Sequence, residues 1–223
     1  MKLPVRSSSA VMLAALLALG AVVMGRTGAA QTGFVDWKAY GGDKTNSKRT
    51  GLNQINRSNV HELEIAWTWQ SPDNDIPADD MQGTRFAYES TPLAVDGRLY
   101  VTTSTSQVAA LDGVTGEPIW TYDPRAWENT PSHGIFIHRG AVWWESAGER
   151  RLFVGTVDGR LIALDPATGA PVPSFGTGGT VDLTKGLRRE LDTGHYSVSS
   201  PPIVVGDVIV VGGSITDADP TLQ

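Results

Sequence analysis

The pattern A-x-D-x-x-T-G occurs twice in this chain, at residues 110–116 and again at 163–169, so the copies lie 53 residues apart. Each copy sits within the same succession of short apolar runs and turn residues. The fuller unit is 89–122. Segment 90–95 is extended and apolar, Asp96 and Gly97 offer the φ > 0 positions of a tight hairpin, and 99–103 is rich in β-branched and aromatic side chains. A second hairpin follows, with arms 108–111 and 118–122 around the turn 112–116, ending on Trp120. The second copy repeats 151–156, Asp158-Gly159, 161–165 and 167–169, but carries Pro173 where the first has its tryptophan. A third start, 202–214, matches 92–104 in pattern and length. Repeats of roughly 40 to 50 residues with four strands each are the signature of propeller blades, whose sheets bury their faces only against neighbours. The expected fold is all-β: a β-propeller of four-stranded antiparallel blades, of which about three are represented.

Residues 1–30 read as a signal peptide, and 31–223 as the propeller part. Lys2 and Arg6 make a positive start, 11–24 is apolar and uncharged, and Gly28, Ala29 and Ala30 offer the small residues of a cleavage site. The apolar run falls short of the roughly 20 residues a membrane span needs, so export to the periplasm is expected rather than anchoring. The net charge of −6, with basic residues scattered, argues against a nucleic-acid partner. Cysteine is absent, which excludes disulfides, thiolate metal sites and a lipid-modified N-terminal cysteine. The 25 Gly and 13 Pro suit a turn-rich β domain.

Ahead of the first blade, Asn59 with Glu62 has the spacing of a capping box and predicts one short helix. Segment 66–70, Ala-Trp-Thr-Trp-Gln, reads as a strand whose alternating tryptophans pack between blades rather than stack on a cofactor. The histidines at 61, 133, 138 and 195 lack the spacing of a zinc site.

Five motifs in order then carry a resemblance: W-x-x-Y-G-G-D from Trp37, L-x-Q-I-N-x-x-N-V-x-x-L from Leu52, E-S-T-P-L-x-V-D-G from Glu89, H-R-G-A-V-W-W from His138, and V-D-G-R-L-I-A-L-D-x-x-T-G from Val157. Together they resemble the N-terminal part of the pyrroloquinoline quinone (PQQ)-dependent dehydrogenases, which are eight-bladed propellers. The glucose, quinate and polyol branch is the nearest in pattern. The resemblance implies oxidation of a sugar or polyol hydroxyl, with PQQ and Ca²⁺ or Mg²⁺ as cofactors and a respiratory quinone as electron acceptor. It is compatible with membrane association of the complete enzyme.

Residue by residue, the resemblance implies that Arg139 pairs with a PQQ carboxylate, a role suited to a planar fork of donors. Glu89 would hydrogen-bond the cofactor, Ser199 and Ser214 would contribute hydroxyl contacts, and Asp217 would be a hard metal ligand. Ala218 stands where that branch often has asparagine. His133 and Gly134 occupy the place of the vicinal cysteines of the alcohol branch, which argues against methanol as substrate, and His133 would face cofactor or substrate. The family's catalytic base, its asparagine metal ligand and the tryptophan beneath the quinone ring belong to later blades. The chain therefore reads as a truncated product, a fragment or one part of a split protein, inactive by itself. The rival reading is a non-catalytic periplasmic propeller scaffold sharing the A-x-D-x-x-T-G-x-x-x-W repeat. Such a scaffold is not expected to combine Glu89, Arg139 and Asp217.

Overall fold

Hairpin chemistry sets the architecture. The computed structural model describes residues 35–43, 45–77, 84–85, 88–129, 135–187 and 196–215, all within the unit Val35–Gln223. After a two-residue strand, β1 (Thr84–Arg85), the first blade opens with β2 (Leu93–Val95). Asp96 and Gly97 then take φ of 50° and 74°. These are the left-handed pair that a two-residue hairpin requires, and they return the chain as β3 (Arg98–Thr102). β4 (Val108–Asp112) and β5 (Pro118–Tyr122) complete an antiparallel sheet in the order β2-β3-β4-β5. β2 begins at Leu93 rather than Ser90. The N–H of Thr91 is already given to the carbonyl of Arg139, and Pro92 has none to give.

The A-x-D-x-x-T-G pattern is the turn between the third and fourth strands. The Asp112 carboxylate accepts from the backbone N–H of Val114 and Thr115, both at 2.9 Å, and its carbonyl accepts from Gly116. Asp165 repeats the arrangement with Ala167 and Gly169. Short acidic side chains favour such turns because they replace backbone partners locally.

β6 (Ile135–Phe136) pairs in parallel with β1. The second blade then forms from β7 (Val142–Ser146), β8 (Glu149–Gly155), β9 (Arg160–Leu164) and β10 (Thr180–Asp182), in the order β10-β9-β8-β7. Its fourth strand explains the missing tryptophan. Pro171 bridges Leu164 and Val172 donates to Ala163, but the chain leaves the sheet at Pro173 and rejoins β9 only at Thr180. Phe175, on that excursion, packs on Phe153 with ring centroids 5.3 Å apart. Beyond it come β11 (Tyr196–Ser197), the hairpin β12 (Ile203–Val205) with β13 (Val208–Val210), and β14 (Ser214–Ile215), which pairs with β11. The described residues thus hold two four-stranded blades and one hairpin of a third.

The inner strands of the two four-stranded blades, β3, β4, β8 and β9, are largely buried on both faces, so they read as near-continuous apolar runs. Leu93, Val95, Tyr100, Val108 and Ala110 of the first blade meet Trp143, Leu152, Val154, Ile162 and Leu164 of the second. The far face of the first blade, Val101, Ala109 and Leu111, is covered by Trp67 and Trp69. The far face of the second, Phe153, Leu161 and Ala163, is covered in part by Val204 and Ile209 of the third. Truncating a buried residue such as Leu152 costs about 2–5 kcal/mol at sites of this kind.

Trp67 and Trp120 are interlocks that seat against a blade's turn glycine. Trp67 lies against Gly116 and Trp120 against Gly169, so closely that a Cβ on either glycine would approach the indole to 2.5 Å. Trp67 and Trp120 are themselves one repeat apart, so packing is their role. Segment 66–70 alternates exposed and half-buried residues as a strand would, but it pairs with no strand among the described residues. Without a hydrogen-bonded neighbour an extended segment is not a strand. The capping box also does not form. Val60–Glu62 is a short 3-10 turn, and the Asn59 side chain instead accepts from the N–H of Asn56 and donates to the carbonyl of Gln54.

Candidate functional site

Strand direction brings Glu89, Arg139 and Ser199 to one end of the sheets. Glu89 precedes β2 and Arg139 precedes β7, the first strands of their blades, while Ser199 precedes β12. The backbone joins these positions in a relay: Thr91 donates to the Arg139 carbonyl at 3.1 Å, and Arg139 donates to the Ser199 carbonyl at 2.7 Å. The three blade entrances are therefore locked side by side. Arg139 has no freedom to swing with a loop, because both of its backbone polar groups are engaged.

The Arg139 side chain completes the arrangement. Its Nε lies 3.0 Å from Glu89 Oε2, and its Nη1 donates to Ser199 Oγ at 3.0 Å. Three residues from three blades meet on one guanidinium. Arg139 and Glu89 are about two-fifths exposed, so the pair itself is worth about 0–1 kcal/mol. The same exposure leaves the fork accessible to a planar anion carrying a carboxylate, which a guanidinium holds with directional hydrogen bonds. Ser214 is exposed and pairs across β14 with Ser197, two residues before Ser199, and no described contact joins it to Arg139. Residues 1–30, His133, Gly134, His195 and Asp217 lie outside the described residues. Among those described, no group of three His, Cys, Asp or Glu side chains could hold a metal ion.

Sequence reasoning missed what lies beneath this corner. His138 is fully buried; its Nε2 is 2.7 Å from the carbonyl of Gly155 and its Nδ1 is 2.9 Å from Thr102 Oγ1. A carbonyl only accepts, so Nε2 carries the proton and Nδ1 is the acceptor. The backbone N–H of Gly140 also points at Nδ1, at 3.3 Å. Burial pushes the imidazole down to about 4, against smaller upward pulls from the Gly155 carbonyl and the Asp73 charge. It is neutral at physiological pH. Thr102 also meets Ser90, hydroxyl to hydroxyl at 2.9 Å, and its N–H donates to Ser90 Oγ.

Beside it, the turn after β3 is buried although Thr102, Thr103, Thr105, Ser106 and Gln107 are polar. Asp73 makes that burial tolerable. One of its oxygens accepts from Thr103, Thr105 and Gln107 side chains at 2.6, 2.5 and 3.2 Å, and the other accepts from the Thr105 N–H at 3.2 Å. The polar run T-T-S-T-S-Q, set within an apolar repeat, was the signal available in the sequence.

Among the described residues, a cavity of about 650 Å³ lies elsewhere. It is lined at the hairpin end of the sheets by Asp96, Arg98, Tyr100, Trp143 and Arg150. Its charges answer one another, with Arg150 2.7 Å from Asp96 and Arg151 2.7 Å from Glu149.

The family described as the glucose/ethanol/alcohol dehydrogenase β-propeller domain, PQQ, matches residues 37–223. The chain belongs to the PQQ dehydrogenase β-propeller family. It is 34% identical over 182 residues to the dehydrogenase subunit of the quinone alcohol dehydrogenase of Gluconobacter oxydans, covering 79% of this chain and 21% of that protein. It is 33% identical over 193 residues to the quinoprotein glucose dehydrogenase of Escherichia coli, covering 82% of this chain and 24% of the relative. The crystal structure of quinohemoprotein alcohol dehydrogenase from Comamonas testosteroni superposes with a TM-score of 0.61 at 31% identity, over 85% of this chain and 24% of that one. The chain thus spans about a quarter of the length of these relatives.

Proposed function

We propose that this chain supplies the first blades of an exported, periplasmic PQQ-dependent dehydrogenase that oxidises a sugar or polyol hydroxyl and passes electrons to a respiratory quinone. The convergence of Glu89, Arg139 and Ser199 from three blade entrances is the observation that carries the reading. The donor chemistry fits the cofactor. PQQ is a flat tricarboxylate, and the described corner offers an accessible guanidinium for one carboxylate with a hydroxyl and a carboxylate beside it. When bound, PQQ supplies an electrophilic quinone carbonyl able to accept hydride. Arg139 would orient it by one edge, Glu89 would hold the Arg139 fork in plane, and Ser199 would fix the fork from the other side. Ser214 and, as a ligand of Ca²⁺ or Mg²⁺, Asp217 belong to the same proposal. His133 and Gly134, in place of a cysteine pair, support a sugar or polyol rather than methanol.

The test is a titration of the 223-residue chain with PQQ, followed by tryptophan fluorescence. Weak binding is expected, because one ionic corner leaves both faces of the quinone open to water. Arg139→Ala should weaken it at least tenfold, and equal binding by the variant would remove Arg139 from the site. A dye-linked assay of the same chain with PQQ and Ca²⁺ against sugars and polyols should show no turnover, since proton abstraction needs a base within hydrogen-bond reach. Turnover would mean that these residues already contain the base.

A further inference from the structure

We propose that His138, acting through Thr102, is a positioning residue that holds the Glu89–Arg139 pair in its binding geometry. The proposal rests on the reading of Arg139 as a cofactor contact, but the arrangement it describes is built entirely from this chain's own residues. His138 is the neighbour of Arg139 in sequence, and Ser90 is the neighbour of Glu89. The two neighbours are joined inside the protein by one directed chain. Ser90 O–H donates to Thr102 Oγ1, Thr102 O–H donates to His138 Nδ1, and His138 Nε2–H donates to the carbonyl of Gly155. The directions follow from the carbonyl at its end, which can only accept and so sets the tautomer and every donor behind it.

The chain bridges the two blades whose entrances carry the ion pair. Ser90 and Thr102 belong to the first blade, and Gly155 ends β8 of the second. Thr102, His138 and Gly155 are all buried, Thr102 and His138 being about 1% exposed, so water cannot stand in for a lost partner. The exposed pair above has no such protection: its side chains are two-fifths open to solvent, and an exposed ion pair of two long side chains does not hold itself in one geometry. What fixes the separation of Glu89 and Arg139 is therefore the buried link between their neighbours, together with the hydrogen bond from Thr91 N–H to the Arg139 carbonyl. Outer partners of this kind keep a binding constellation within the tolerance that function needs.

Thr102→Val removes the hydroxyl at constant shape, Thr102→Ser restores it, and His138→Asn removes the ring. Each is made in the 223-residue chain. Two readouts are taken under conditions where urea titration shows every variant folded: PQQ affinity by fluorescence, and the Arg139 Nε–H resonance in a ¹⁵N spectrum, assigned by its loss in Arg139→Lys. The expected result is about tenfold weaker PQQ binding in Thr102→Val, recovery in Thr102→Ser, and loss or broadening of the Arg139 Nε–H signal in Thr102→Val and His138→Asn. If Thr102→Val lowers only the urea midpoint, leaving affinity and resonance as in the parent, the link is structural and the proposal is wrong. Should His138→Asn fail to fold, the Thr102 pair decides alone. If Arg139→Lys leaves PQQ affinity unchanged, the cofactor reading fails, while the resonance still decides whether His138 positions the pair.

Discussion

Replacing Gly169 with alanine separates the two reasons why the repeat ends its turn on glycine. Gly169 has φ +75°, and a Cβ built there would lie 2.5 Å from Trp120 Cε3 and 2.6 Å from Cδ2. The left-handed backbone costs a β-carbon roughly 1–2 kcal/mol by itself. The contact adds to this, because carbon atoms rest at about 3.5–4.0 Å and the indole would have to move by roughly 1 Å. Overpacking of that kind costs about 1–3 kcal/mol. Moving the ring also stretches the hydrogen bond from Trp120 Nε1 to the Pro166 carbonyl, now 3.1 Å, which is worth about 1 kcal/mol. Gly148 is the internal control, with φ +82° and nothing within 4 Å of a Cβ. Urea unfolding followed by tryptophan fluorescence should therefore show Gly169→Ala less stable than Gly148→Ala by about 2–4 kcal/mol. In a Trp120→Leu background the difference should nearly vanish. Equal costs for the two glycines, or a difference that survives loss of the indole, would refute the interlock between Trp120 and the second blade.

Acidification should destabilise the fold through His138. Its native value of about 4 lies below the unbound 6.5, so both states are neutral above about pH 6.5 and no contribution is present there. Below that the unfolded chain takes up a proton that the native chain refuses, and stability falls by about 1.4 kcal/mol per pH unit, reaching about 3 kcal/mol near pH 4. Asp73 favours the charged ring and Arg139 opposes it. Urea midpoints at pH 7, 5.5 and 4.5 for the parent and His138→Asn check this, and parallel curves would contradict it. Asp73→Asn turns an amide NH₂ toward a pocket of donors and should cost about 2–3 kcal/mol, read as a drop of roughly 5–10 °C in a thermal melt. An unchanged Tm would mean that the T-T-S-T-S-Q turn does not depend on Asp73. Ile203, Val205, Val208 and Val210 are each more than half exposed on the outer face of the third hairpin, and such a patch promotes association. Ile203→Thr with Val208→Thr should shift sedimentation toward monomer with a stability change within about 0.5 kcal/mol. Association undiminished in the double variant would place the sticky surface elsewhere.

Local rules alone sufficed for the repeat. The Asp96-Gly97 hairpin, the Asp112 and Asp165 turns and strand β5 depend on neighbours a few residues away, so their spacing in the chain already states their geometry. The same holds for the family, since five motifs in order along the chain carry it. Other features were decided only by partners distant in sequence. Segment 66–70 has the pattern of a strand, but no described neighbour pairs with it. The fourth strand of the second blade leaves the sheet at Pro173 and rejoins at Thr180, because the apolar face of β9 can be completed from beyond an excursion. His138, Thr102 and Ser90 show no spacing of their own, because their link runs across two blades through a buried proton chain. Hydrogen bonds between residues 12 to 36 positions apart acquire direction only once burial has excluded water and a single carbonyl, that of Gly155, has settled which nitrogen holds the proton.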